Sequence, residues 1–117
     1  MIEIELSLPP TTNKSFRVGK GRFYETDEYK WWKMEAQLVA RSTARHEPTD
    51  KDIRLEIEFF QTFGGDIDGR LKPLLDSLEG VIYQNDKQVV EIVVRKYKSK
   101  QARCVVRYEL PQLRLQV

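Results

Sequence analysis

The sequence is short of the residues on which many metalloenzymes and hydrolases depend. Among its 117 residues there is one cysteine, Cys104, and one histidine, His46. A lone cysteine excludes an intrachain disulfide and any cysteine-rich zinc site. A lone histidine leaves few parts for a histidine metal cage or a Ser-His-Asp arrangement. No apolar run reaches the length of a membrane span, and the opening "MIEIELSLPP" lacks the basic start and apolar stretch of a signal peptide. A cytoplasmic protein with no membrane partner is the expectation. An excess of charge of one sign is also lacking: the net charge of +2 does not by itself announce a nucleic-acid partner.

What is present is enough for a core, since 40% of the residues are hydrophobic and 32% charged. The length suits one domain spanning 1–117. The charges are unevenly placed. Lys14, Arg17, Lys20 and Arg22 follow one another with no acid between them, and Arg95, Lys96, Lys98, Lys100, Arg103 and Arg107 form a second acid-free zone. The carboxylates gather largely between Glu47 and Glu91. Two basic zones around an acidic middle suit a phosphate-binding surface around a metal site, or a set of solvated loops and strand faces.

Periodicity orders the chain as β-α-β-α-β-β. "IEIELSL" and "IRLEIEFF" alternate apolar with polar residues, the period of half-buried strands. "PPTTNKSFRVGKGRF" favours a loop or irregular hairpin. Thr26, with Asp27 and Glu28 behind it, starts a helix that runs to about Arg45 and stops before Pro48. Its main apolar stripe is Tyr29, Trp32, Ala36, Val39 and Ala40, while Trp31, Met34 and Leu38 point elsewhere on the wheel. A second helix carries Leu71, Leu74, Leu75 and Leu78; Pro73 argues that it begins near Gly69 or Arg70, and Gly80 stops it. "QVVEIVVRKY" and "ARCVVRYEL" read as strands joined by a "KSKQ" hairpin. Two helices covering one face of a small mixed sheet make an α/β or α+β domain.

The stretch "GGDIDGRLKPLLDSLEGVIYQND" sets Asp66 and Asp68 two residues apart, and an extended backbone would point both to one side. Ionised carboxylates that close repel, so a proton or a cation should intervene, and magnesium suits oxygen donors supplied by one or two carboxylates. With the strands on either side of the leucine helix as neighbours, the turn holding Asp86 is expected to return to Asp66 and Asp68. Lys72 lies four residues from both Asp68 and Asp76 on one polar stripe, placed to hold a phosphate oxygen. Simpler roles exist for each: Asp68 as a helix cap, Lys72–Asp76 as an exposed pair, and Asp86 as a turn residue. A calcium loop fails on count, because the twelfth position from Asp66 is Ser77.

"DIDGRLKPLLDSL", followed by "NDKQV" and preceded by "LPPTTNKSFR", resembles the RusA family of Holliday junction resolvases over most of the chain. The resemblance implies a RusA-like fold and a small homodimeric endonuclease that binds four-way DNA and cuts two strands symmetrically with Mg²⁺. It implies that Asp66, Asp68 and Asp86 bind one or two metal ions and that Lys72 is essential; Asp76 falls on the aspartate that follows within the family's helix, in a structural or a catalytic supporting role. It associates Asn13, with Lys14 and Arg17 nearby, with the DNA surface; Lys20 and Arg22 extend that basic segment. Trp31, Met34 and Leu38 are a candidate dimer contact, or cover a loop. Two departures stand out: Gly69 where the family usually has asparagine, and Asn85 before Asp86 where members can have paired acids. The alternatives are a nucleic-acid-binding module without catalysis and a lapsed family member that binds branched DNA.

Overall fold

The computed structural model describes residues 1–111. Six strands and three helices follow one another: β1 (Ile2–Leu6), α1 (Thr12–Ser15), β2 (Phe16–Gly19), β3 (Arg22–Glu25), α2 (Asp27–Ala44), β4 (Ile53–Gln61), α3 (Ile67–Leu78), β5 (Val89–Lys98) and β6 (Arg103–Tyr108). β1, β6, β4 and β5 form a four-stranded sheet in that order, and β2 and β3 form a separate hairpin. The mixed α+β fold matches the expectation from periodicity. The segment expected to be a loop or irregular hairpin contributes the short α1 and the hairpin. Lys20 and Gly21 at its tip both have positive φ, 52° and 73°, as a two-residue type I′ turn requires.

α2 begins where Thr26 predicts, its hydroxyl oxygen accepting from the Tyr29 amide at 3.2 Å. It ends at Arg45, which turns into the left-handed region (φ 56°). One side of the sheet is the core. Ile4, Leu6, Ile53, Leu55, Ile57, Phe59, Cys104, Val106 and Tyr108 face Ala36 and Ala40 of α2 and Leu74 and Leu78 of α3. At roughly 25 cal/mol per Å² of apolar surface removed from water, this layer is the main source of stability.

The other side of the sheet carries ion pairs: Arg107 with Glu3 and Glu58, Arg103 with Glu5, Arg95 with Glu56, and Arg54 with Glu91. Three arginines of the second basic zone are therefore neutralised by neighbouring strands. Lys96 is drawn to the Gly65 carbonyl at 3.1 Å.

Two expectations about connections need correction. β5 and β6 are not a hairpin, because β4 lies between them, paired parallel to β5 and antiparallel to β6. α3 starts at Ile67 and not near Gly69 or Arg70, so Pro73 sits inside it. The helix tolerates Pro73 because the group it orphans finds another partner. The Gly69 carbonyl, four residues earlier, accepts from the Thr12 hydroxyl at 3.0 Å. The carbonyl of Pro73 itself accepts from the buried Tyr29 hydroxyl at 2.7 Å, tying α3 to α2.

Candidate metal centre and nucleic-acid interface

The parallel pairing of β4 with β5 decides where the carboxylates go. Ile53 aligns with Val89 and Gln61 with Lys98. The residues entering β5 therefore lie at the start of β4, and those leaving β4 lie at the opposite end of the sheet. Asp66 follows β4 and is the N-cap residue of α3; Asp68 is in the first turn. Asp86 opens a short 3-10 turn, Asp86–Gln88, directly before β5. The expected convergence of Asp66, Asp68 and Asp86 does not occur. That expectation took the two strands as neighbours without fixing their direction; a helix linking neighbouring strands is the signature of a parallel pair, which sends the turn before β5 to the far end.

α3 runs back along the sheet and brings a different set to Asp86. Carboxylate oxygens of Asp76, Glu79 and Asp86 lie within 4.8 Å of one another, the group of metal-capable side chains formed among the described residues. Asp76 and Glu79 are three apart at the C-terminal end of α3, hence on one face. Asp86 is held opposite them by a reciprocal cap: the Asn85 side chain accepts from the Lys87 amide at 2.9 Å, and the Gln88 side chain accepts from the Asn85 amide at 2.7 Å. The departure at Asn85 thus has a structural use. Asp68 stands eight residues up the helix from Asp76, about 12 Å of axis.

Lys72 does reach the group. Its Nζ lies 3.3 Å from Asp76 Oδ2 and 5.7 Å from the centre of the Phe16 ring. Of the residues singled out in the sequence, Lys72, Asp76 and Asp86 come together, joined by Glu79, which sequence reasoning missed. Its signal was its spacing of three from Asp76. Burial pushes the Tyr83 hydroxyl well above its usual range, and the charges of Asp86, Glu79 and Asp76 add to the effect. That phenol stays protonated and donates to the Leu75 carbonyl at 2.6 Å, supporting the end of α3 that carries Asp76 and Glu79.

Three carboxylates and one lysine leave negative charge in excess. The donors are all hard oxygens, the set that Mg²⁺ and related cations prefer over softer metals, so the residues fit a divalent ion. His46 takes no part: its ring nitrogens contact the Glu47 carbonyl oxygen and the Tyr108 hydroxyl at 2.7 and 2.6 Å.

The N-terminal end of α3 is a structural knot. Arg70 donates to Gln61 Oε1 at 3.0 Å and to the Pro9 carbonyl, and Gln61 donates to the Gly65 carbonyl at 3.0 Å. Burial lowers the pKa of the Arg70 guanidinium from its ordinary value.

Beside the acidic trio a groove of about 620 Å³ is lined by Phe23, Tyr24, Tyr29, Lys33, Asp76 and Glu79, among others. The β2–β3 hairpin forms its wall. Arg17, Lys20 and Arg22 on that hairpin, with Asn13 and Lys14 at its base, are exposed or nearly so. None of the four cations pairs with an acid among the described residues. Phe23 is 83% exposed at the same tip. The chain thus presents an unneutralised basic arm next to an acidic pocket.

A family model described as "Endodeoxyribonuclease RusA" matches residues 7–109 of the 117. No curated protein matches the chain.

Proposed function

The chain belongs to the RusA endodeoxyribonuclease family, and from that premise we propose that it is a Mg²⁺-dependent crossover junction endonuclease, resolving four-way DNA in recombination and repair by paired phosphodiester hydrolysis. The observation that carries this reading is the trio of Asp76, Glu79 and Asp86, with Lys72 beside it, at the foot of a basic arm. A divalent ion held there would neutralise charge on the scissile phosphate and lower the pKa of an attacking water.

The chain's own residues do the rest. Asp76, Glu79 and Asp86 would hold the ion by their carboxylate oxygens. Lys72, paired with Asp76 in the free protein, turns to a phosphate oxygen when DNA binds, leaving Asp76 to the cation. Arg17, Lys20 and Arg22, with Asn13 and Lys14, grip the DNA backbone without reading its sequence. Asp66 and Asp68, which the family resemblance assigns to metal binding, stand at the other end of α3 from this trio. Cutting two strands symmetrically takes two such sites related by a two-fold axis.

The experiment is incubation with a labelled four-way junction, a plain duplex and a single strand, with Mg²⁺ or with EDTA. Junction-selective nicking that needs metal is the expected result. Junction binding with no cleavage under any metal condition would leave a binding module. Asp76→Asn and Asp86→Asn should keep junction binding and lower cleavage by about 10² or more, the scale on which removing one transition-state interaction acts. Asp68→Asn should also lower cleavage. A Mn²⁺-binding measurement then separates the carboxylates: it should weaken in the first two variants and hold in the third.

A further inference from the structure

The β2–β3 hairpin has two unlike faces. Residues directly opposite in an antiparallel pair share a face, and faces alternate along each strand. The register sets Phe16 against Glu25, Arg17 against Tyr24, Val18 against Phe23 and Gly19 against Arg22. Arg17, Arg22 and Tyr24 therefore share one face with Gly19, where a Cβ would lie 2.9 Å from Tyr24 Cε1. Phe16, Val18, Phe23 and Glu25 share the other face. At its base Phe16 packs against the buried Tyr29, ring centres 5.3 Å apart, and Glu25 pairs with Lys33 of α2 at 3.3 Å. This face is thus turned toward α2 and the groove of about 620 Å³ beside the acidic trio. Toward the hairpin tip it loses its packing: Phe23 is 83% and Val18 67% exposed. A large apolar ring overhangs the groove.

Resting on the DNA-binding part of the proposed function, we propose that this groove receives one unpaired nucleobase of the bound strand. Phe23 stacks on the face of the base, and Lys33 and Glu25 bond its edge. Charge selects the occupant. Glu25, Asp76 and Glu79 line the groove against one cation, Lys33. A phosphate is repelled from such a lining and drawn to Arg17 and Arg22 on the opposite face of the hairpin. What enters is uncharged, flat and aromatic. A nucleobase is all three, and its edge carries donors and acceptors that answer a carboxylate and an ammonium. An apolar peptide side chain would instead cover that ion pair and offer it no polar partner. A base within a duplex is already bonded to its complement and stacked on its neighbours. Turning a base out costs least where pairing and stacking are already broken, so the groove favours a branch point over a plain duplex. Asp76 and Glu79 belong to both the groove and the trio, so the nucleotide held there lies beside the candidate ion.

The test reads binding in EDTA, so it stands apart from cleavage. The full chain is titrated into a labelled single-stranded thymidine octamer and into an abasic octamer with the same sugar-phosphate backbone. The wild type should prefer the octamer with bases by about tenfold, the scale of one base stacked on an aromatic ring. Phe23→Ala should abolish that preference by weakening the thymidine octamer alone, and Phe23→Trp should retain it. Phe23 is so exposed that neither change threatens the fold. Phe63, equally exposed on the β4–α3 connection, is the control: Phe63→Ala should leave the preference intact. Irradiating a bound strand that carries 5-iodouracil should attach it to Phe23. Equal affinities in the wild type, a preference that survives Phe23→Ala, or attachment to Phe63 or Tyr24 in place of Phe23 would each overturn the proposal. Base-blind binding of both octamers would do so and leave the basic arm and the nuclease reading standing. Binding of neither octamer at low salt would overturn all three.

Discussion

Pro73 shows how a single residue is accommodated by its surroundings. It takes a donor out of α3, and the structure answers with Thr12 on the Gly69 carbonyl, while Tyr29 adds a tie from α2 to the carbonyl of Pro73. Tyr29 is fully buried, and its ring stacks on Trp32 at 6.0 Å. Tyr29→Phe keeps the ring and removes only the hydroxyl, so the buried bond that ties α2 to the carbonyl of Pro73 is lost. The expected loss is about 1–2 kcal/mol, read as a lower urea midpoint with an unchanged slope. By spacing alone Pro73 is a reason for the helix to begin later. It could not see Thr12, 57 residues away in sequence from the carbonyl it satisfies.

At the scale of elements, the hairpin and α3 divide the work. The hairpin keeps its cations free because it stands away from the sheet, where every arginine of the ladder has found a glutamate. Replacing Arg17, Lys20 and Arg22 together with alanine should weaken junction and duplex binding alike. The slope of log affinity against log salt should flatten by about 3, since each phosphate no longer neutralised changes it by close to 0.9. An unchanged slope in a filter-binding or anisotropy titration would remove the arm from the interface. In the sequence the arm reads as either a loop or an irregular hairpin, because Val18, Phe23 and Tyr24 face solvent and no buried-face alternation marks its strands. α2 and α3 were legible because their buried faces repeat at helical period. The start of α3 was not, because Asp66, Ile67 and Asp68 satisfy a strand end and a helix cap equally well.

For the whole molecule, acid–base behaviour follows from burial. Desolvation pushes the Cys104 thiol from its ordinary value of 9.0 to about 12, and the Tyr108 hydroxyl from 10.0 to about 12. Tyr29 and Tyr83 are raised further, chiefly by burial, with nearby carboxylates adding to it. In each case the folded state holds its proton where the unfolded chain would release it. This contribution to stability is complete below about pH 9 and drains away as pH climbs from there toward 12. Urea midpoints taken from pH 7 to 11 should be level at first and then fall. A rising midpoint above pH 9 would contradict the burial of these groups. Cys104 should react with thiol reagents only when the protein unfolds.

Residue order alone was enough for the fold class, the apolar faces of both long helices and the pairing of Lys72 with Asp76, because these depend on periodicity and on neighbours within one element. It also carried the family resemblance over most of the chain. Which carboxylates meet was settled in three dimensions. Asp86 joins Asp76 and Glu79, and stands away from Asp66 and Asp68, because β5 runs parallel to β4 and α3 must travel back along the sheet to connect them. Strand direction is a non-local property: it is set by how the chain closes on itself, and no local spacing encodes it.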